Sequence, residues 1–360
     1  MKIALVYDRV NKWGGAEQIL LSLHEIFPDA PLYTSVLNYK NASWAKVFNK
    51  IKTSFLQKIL FMRSRHEYLG TFMPIVFESF DFSNFDLVIS VTSEAAKGIL
   101  VKTPTKHISI ILTPTRYLWS GYDIYFKNRL LKFISVPFVN YLKDWDIIAA
   151  QRPDVLVAIS KEIQKRISKY YKRDSKIIYP PVDINKLDLL RKNNVSKKDY
   201  FLLVSRLVPY KKVDLAIKAF NKMGKKLIIV GSGATERKLK RLANKNITFL
   251  GLVNVENLAI LYQEAKALIM PQEEDFGIVS IESQFFNTPV ISYRKGGSLD
   301  TVINGKTGIF FNKQTVDSLM SAVKEFEKQE FLEEDLLTNA KKFSKDVFKE
   351  SILSIIKENV

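Results

Sequence analysis

Ala267-Leu268-Ile269-Met270-Pro271-Gln272-Glu273-Glu274-Asp275-Phe276-Gly277-Ile278-Val279-Ser280-Ile281-Glu282 passes from a short apolar run, through a charged loop, into an apolar helical pattern. Four apolar residues stopped by a proline read as a buried strand, and Gly277 opens a helix. This is one strand–loop–helix unit of a parallel sheet, and its loop emerges at the strand's C-terminal edge. Glu274 falls in the loop and Glu282 in the helix, with seven residues between them. A carboxylate accepts paired hydrogen bonds from vicinal hydroxyls, so two glutamates so placed suit a ligand with two sugar rings. Gly277 and Ile278 offer backbone N–H groups at the helix start. Glu282 sits among Ile281, Phe285 and Phe286, and a carboxylate on an apolar face needs a partner.

The same alternation runs along the whole chain. Strands are expected at Ile3–Tyr7, Leu32–Ser35, Leu87–Val91, His107–Leu112 and Val155–Ile159, then at Phe201–Val204, Lys226–Val230, Thr248–Leu250, Ala267–Met270, Val290–Tyr293 and Gly308–Phe310. Between the two series stands Tyr179-Pro180-Pro181-Val182-Asp183, whose consecutive prolines stop regular structure. The 360 residues, 47% of them apolar, suffice for two cores. The fold class expected is α/β: two Rossmann-like, doubly wound domains facing an interdomain cleft. Residues 1–185 are expected to form an N-terminal domain, 186–345 a C-terminal domain, and 346–360 a helix that returns to the first.

Composition removes several classes of chemistry. There is no cysteine, hence no thiolate nucleophile, cysteine–zinc site or disulfide. The three histidines, His24, His66 and His107, lack metal-ligand spacing, and no Asp-x-Asp ends a strand, so no metal and no cofactor are expected. Neither GxGxxG nor a Walker sequence is present, which disfavours nicotinamide and P-loop enzymes. No apolar run reaches membrane-spanning length.

The formal charge of +18 calls for an anionic partner. No nucleic-acid module accompanies it, so nucleic acid is not expected. From Lys40 to Arg65, Lys46, Lys50, Lys52, Lys58, Arg63 and Arg65 alternate with Trp44, Phe48, Ile51, Phe55, Leu56, Ile59, Leu60 and Phe61, without an acidic residue. That composition fits a helix on an anionic membrane surface, or equally a helix packing an apolar stripe on the core.

Two further features carry chemistry. Gly14 and Gly15 precede a helix near Glu17 and could seat a phosphate at its N-terminus, although a tight turn accounts for them too. Arg206 and Lys211 follow strand Phe201–Val204, where two cations suit the charge growing on a leaving diphosphate; surface cations are the alternative.

In order along the chain, Gly14-Gly15-Ala16-Glu17, Arg206 with Lys211, the Glu274–Glu282 spacing, and Thr288-Pro289-Val290-Ile291 with Gly296-Gly297, Asp300 and Gly305-Lys306-Thr307-Gly308 resemble the retaining family 4 glycosyltransferases of GT-B fold. Thr113-Pro114-Thr115-Arg116-Tyr117-Leu118-Trp119, Ala158-Ile159-Ser160 and Ile178–Asp183 are similar to mannosyltransferases of bacterial O-antigen and capsule assembly. The resemblance implies a retaining, metal-independent transfer of mannose or a relative from a nucleotide diphosphate sugar, GDP-linked by preference, to a glycan or polyprenyl-linked acceptor. It implies attachment to the inner face of the cytoplasmic membrane. By it, Arg206, Lys211 and Glu274 are catalytic, and Gly14, Gly15, Gly277, Ile278, Glu282, Gly231 and Leu252 bind the donor. By the same likeness Arg116 and Tyr117 are acceptor-side candidates, in an acceptor-side first domain followed by a nucleotide-sugar-binding second domain.

Three departures stand out: Leu112 replaces the family's usual histidine, Ile159 an asparagine and Asn287 a glycine. Leu112 implies either a 6-deoxy donor, for which an apolar side chain suits a methyl group, or reduced activity. A non-catalytic sugar-nucleotide-binding partner and another GT-B enzyme, such as an epimerase, remain the alternative functions.

Overall fold

The computed structural model describes residues 1–59, 70–122, 129–192 and 195–360, with the backbone alone of 129–132 and 134. The chain divides into two compact units, Met1–Pro180 with Phe348–Val360, and Pro181–Val347.

The first unit is built on a seven-stranded sheet in the order β3-β2-β1-β4-β5-β6-β7. Its strands are β1 (Ile3–Tyr7), β2 (Leu32–Thr34), β3 (Ile51–Thr53), β4 (Leu87–Thr92), β5 (Lys106–Ile111), β6 (Val155–Ala158) and β7 (Lys176–Ile177), all paired in parallel. Every residue of β1 and β4 is buried, as central strands covered on both faces require. The second unit carries six parallel strands in the order β10-β9-β8-β11-β12-β13. They are β8 (Phe201–Val204), β9 (Leu227–Val230), β10 (Ile247–Gly251), β11 (Leu268–Met270), β12 (Val290–Tyr293) and β13 (Gly308–Phe311). Phe201, Phe220, Ile229, Ile291, Phe311 and Leu319 are core residues between this sheet and its helices.

Every strand expected from the sequence is present, and two short ones are added. β3 overturns the expectation of a continuous helix in the basic segment. Its described part, through Ile59, is a 3-10 turn at Ser43–Val47, then β3, then another at Phe55–Lys58. Edge pairing decides this, because Leu32 and Tyr33 of β2 register with Ile51 and Lys52. The buried apolar residues Ala45, Phe48 and Leu56 enter the core singly instead of along a helical stripe. Leu60, Phe61, Arg63 and Arg65 lie outside the described residues. β7 escaped notice because two residues carry no alternation.

The final helix, Lys345–Asn359, belongs from Phe348 onward to the first unit, where Lys176 pairs with Glu358. The long helix Arg129–Ala149 is anchored by Asp146, which is 1% exposed. Its carboxylate accepts from Lys97 Nζ at 2.5 Å, Thr115 Oγ1 at 2.8 Å, Trp119 Nε1 at 2.7 Å and the Tyr171 hydroxyl at 2.8 Å. Four donors compensate its desolvation and fix the loop after β5 to the helix. Asp146→Ala leaves Lys97 as an uncompensated buried charge and is expected to cost the first unit about 3–5 kcal/mol. Urea unfolding followed by tryptophan fluorescence measures it; a loss as small as that of an ordinary surface substitution contradicts the anchoring role.

Candidate functional site

The strand order of the second sheet reverses between β8 and β11, the topological switch point at which ligands of open α/β sheets bind. Lys211, after β8, and Glu274, after β11, meet there. Lys211 Nζ lies 2.5 Å from Glu274 Oε1, and both side chains are largely shielded. Gln272 Nε2 donates to the same oxygen at 2.7 Å. Glu274 Oε2 has no partner among the described residues. Oε1 is held twice while Oε2 is left as an open acceptor, so the carboxylate is both oriented and available.

Gln272 was not a candidate from the sequence. It is 2% exposed, and its own Oε1 has no hydrogen-bond partner. A buried amide with one unsatisfied end costs about 1–3 kcal/mol, a price that its grip on Glu274 accompanies. No sequence signal marks it, because the contact depends on where the loop turns.

Arg206 is exposed and donates to the Tyr210 hydroxyl at 2.6 Å. It binds no carboxylate among the described residues, and stands available to an anion. Gly277 and Ile278 start the helix Ile278–Phe285, whose N-terminus no side chain caps. Uncapped N–H groups with the helix dipole behind them favour negative charge.

Two glycine contacts explain the loops around this point. A Cβ on Gly231 would come 1.9 Å from the Ser205 carbonyl oxygen, at a φ of 127° that L side chains rarely adopt. One on Gly297 would fall 2.4 Å from Phe276 Cα, while Gly297 N–H donates to the Glu274 carbonyl at 2.7 Å. The second contact presses the loop after β12 against the one that carries Glu274. Leu252, just past β10, is 80% exposed. The loops after β10, β9, β8 and β11 thus bring Leu252, Gly231, Arg206, Lys211 and Glu274 to one edge of the sheet.

Glu282 occupies the second turn of the helix and accepts from the Tyr262 hydroxyl at 3.1 Å. Tyr262 stacks on Phe286 with ring centroids 5.9 Å apart. Burial raises the Glu282 carboxyl above its ordinary range, and the Tyr262 hydrogen bond offsets this in part.

In the first unit the switch point lies between β1 and β4, and the protein's own charges fill it. Asp8 accepts from Thr92 Oγ1 at 2.9 Å and from the N–H groups of Ser93, Ala95 and Ala96 at 2.7, 2.9 and 2.8 Å. Arg9 pairs with buried Glu94 at 2.7 Å. Burial, then the Glu94 charge and its hydrogen bond, push the Tyr117 hydroxyl well above the ordinary tyrosine range. Tyr117 is therefore committed to Glu94, and Arg116 is half-buried beside it. Gly14 caps the helix Gly15–Ile26 without a side-chain bond. The Glu17 carboxylate folds back so that its Oε2 would stand 3.2 Å from a Cβ on Gly14, while Oε1 accepts from Tyr7 at 2.8 Å. A phosphate arriving there meets an anion already in place. Leu112 is buried at the end of β5.

No group of three or more His, Cys, Asp or Glu among the described residues is gathered to hold a metal ion. None of the described helices is long and apolar enough to cross a membrane.

Residues 186–343 match the model of the family described as Glycosyl transferases group 1, so the second unit carries a domain of that kind. The O-antigen chain mannosyltransferase RfbU of Salmonella typhimurium is 30% identical over 193 residues, 50% of this chain and 53% of the relative. The GDP-mannose-dependent alpha-(1-6)-phosphatidylinositol monomannoside mannosyltransferase of Mycobacterium tuberculosis is 27% identical over 200 residues, 48% of this chain and 52% of the relative. The chain thus spans about half the length of the curated relatives it matches. Among solved structures, HepE of Anabaena in complex with UDP is similar over 99% of this chain and 100% of its own, with a TM-score of 0.73 at 17% identity. The sucrose-phosphate synthase of Thermosynechococcus elongatus has a TM-score of 0.76 at 14% identity, over 99% of each chain. At such identities the likeness speaks of the fold, two Rossmann-like units of GT-B type.

The raised Glu282 carboxyl makes a stability prediction. The folded chain holds this proton more tightly than the unfolded chain, so the group's contribution to stability falls as pH climbs from the ordinary carboxylate range through the raised value. Glu282→Gln removes the charge and keeps an acceptor for Tyr262. It is expected to raise the thermal midpoint at about pH 7.5, the gain closing near about pH 4; calorimetry across that range checks it, and a lowered midpoint at neutral pH contradicts it.

Proposed function

We propose, starting from the group 1 glycosyl transferase domain of the second unit, that the chain is a retaining glycosyltransferase. It moves a hexose, mannose or a 6-deoxy relative, from a nucleotide diphosphate sugar to a glycan or polyprenyl-linked acceptor in surface-polysaccharide assembly. The observation that carries this reading is the Lys211–Glu274 pair at the switch point, doubly held at one oxygen and open at the other.

The two halves of the pair match the two halves of the donor. The diphosphate draws Lys211 and Arg206, whose charges compensate the negative charge that grows as the glycosidic bond breaks. Released from Lys211, Glu274 turns to the sugar hydroxyls, still steered by Gln272. The uncapped start of the helix Ile278–Phe285 adds backbone donors toward the sugar or phosphate. Glu282 holds the ribose, and the loops at Gly231 and Leu252 lie beside the nucleobase. Gly14 and Gly15 are the first unit's candidates for the distal phosphate, with the Glu17 carboxylate close beside Gly14. The acceptor hydroxyl attacks on the face from which the diphosphate leaves and gives its proton to the leaving phosphate. This route needs no enzymic nucleophile and no metal, because protein cations and backbone dipoles carry the compensation.

The names of the relatives favour mannose and GDP, whereas HepE was solved with UDP, so the base is to be read by experiment. Leu112 keeps a non-catalytic sugar-nucleotide-binding role as the second reading.

Thermal-shift and turnover screening against GDP-, UDP-, dTDP- and ADP-sugars, with and without chelator, decides between them. One nucleotide class is expected to stabilise the chain and to be released as free diphosphate, unaffected by chelator. Glu282→Ala loses both effects, and Lys211→Ala lowers kcat/KM by about 10²–10³-fold. Glu274→Gln is expected to lose transfer while binding free nucleoside diphosphate at least as tightly as the native chain, since the carboxylate competing for Lys211 is gone. Binding without release selects the second reading, and no binding to any nucleotide defeats both.

A further inference from the structure

The second unit holds a cavity of about 380 Å³, walled in part by Arg191, Lys192, Lys197, Phe286, Asn287 and Glu333. Lys192 and Lys197 precede β8, and Phe286 and Asn287 precede β12. The cavity therefore lies where strands begin, whereas Lys211 and Glu274 follow the ends of β8 and β11. Its walls carry three cations and one acid. Arg191 pairs with Glu333, whose other oxygen accepts from Asn287 Nδ2 at 3.1 Å. Asn287 has a φ of 56°, in the left-handed region that asparagine enters more readily than most residues. The side chain that stands where the family has glycine is thus part of the cavity wall.

The two lysines are not matched in this way. Lys192 is exposed, and its ammonium meets no acid among the described residues; its backbone N–H is what binds Gln263, at 2.6 Å. Lys197 Nζ donates to Thr288 Oγ1, a neutral hydroxyl, at 2.6 Å. Lys197 is exposed as a residue, yet desolvation of its amine pulls it down to about 8, against the Glu333 charge. With Arg191 balanced by Glu333, two positive charges are left in excess. A carboxylate would balance one of them, whereas a phosphate monoester, largely a dianion at neutral pH, balances both. The cavity also leaves room beyond a phosphate group, and Asn287 and Glu333 offer acceptors to hydroxyls there.

We infer that this cavity is a second ligand site, separate from the switch point, and that it takes a small hydroxylated phosphate monoester. Its walls also touch the groups behind Glu282. Phe286 stacks on Tyr262, and Thr288 Oγ1, which accepts from Lys197, donates to the Tyr262 carbonyl. The Tyr262 hydroxyl in turn donates to Glu282. The helix Ile278–Phe285, roughly 12 Å long at the helical rise per residue, joins Gly277 at one end to Phe286 at the other. A ligand that draws Lys197 away from Thr288 therefore bears on the residue that orients Glu282, and so on donor affinity. That consequence rests on the proposed ribose contact of Glu282, whereas the site itself does not.

The test titrates glycerol 3-phosphate into the full chain by calorimetry. The combined variant Lys192→Gln, Lys197→Gln is expected to bind about tenfold or more weakly, with the thermal midpoint of the free chain unchanged. If that variant does not fold, Lys192→Gln alone, at an exposed position, takes its place. Arg206→Ala with Lys211→Ala removes the cations of the switch point and is expected to leave the affinity within about twofold. No binding by the native chain overturns the inference, as does binding that the glutamine variant retains in full or that the alanine variant loses. The coupling is read from the dissociation constant of GDP or UDP with and without saturating glycerol 3-phosphate. A change of about fivefold or more is expected in the native chain and none in the glutamine variant; an equal change in both, or none in either, overturns the coupling. If neither nucleotide binds, the donor reading fails, while the glycerol 3-phosphate titration still decides the site.

Discussion

A parallel strand must be covered on both faces, and its chain must cross back over the sheet before the next strand begins. Both units obey this constraint, and much else follows from it. Helices occupy the faces, and the loops that leave the strands emerge along one edge. Where the strand order reverses, two of those loops are led apart and leave room between them. In the second unit they are the loops after β8 and β11, which carry Lys211 and Glu274.

The two units spend the same topology in opposite ways. At the first reversal, between β1 and β4, Asp8 accepts from the backbone N–H groups of Ser93, Ala95 and Ala96, and Arg9 meets Glu94. Charges paired in this way hold loops in place and offer little to a ligand. At the second reversal the pairing is incomplete. Glu274 keeps one oxygen open, Gln272 keeps a buried carbonyl unsatisfied, and Arg206 faces solvent. Incomplete satisfaction is a cost to the free protein, and a ligand that paired with these groups would relieve it.

Asp146 shows how a buried charge can hold a helix. Its four donors come from the short turn at Ala96–Gly98, the loop after β5 and the helix Lys161–Tyr171. The helix that bears it is thereby fixed in rotation. The basic segment near residue 50, expected as a helix, ends instead as the edge of a sheet. Composition did not reveal this, because edge pairing is a long-range interaction.

Periodicity and punctuation in the sequence determined the class of fold. Apolar runs of four to six residues, alternating with helical patterns and broken by Pro180-Pro181, leave few arrangements besides two parallel sheets. The order of Lys211, Glu274 and Glu282 likewise fixed which loops carry the candidate chemistry. The sequence could not say that Gln272 shares an oxygen with Lys211, or that Glu17 lies beside Gly14. Nor could it say that Tyr117 is bound to Glu94. Those facts depend on distances between loops separated by tens of residues, which only the packed sheets set. Local pattern reports which face of an element is apolar; tertiary structure alone decides which of those faces is then covered.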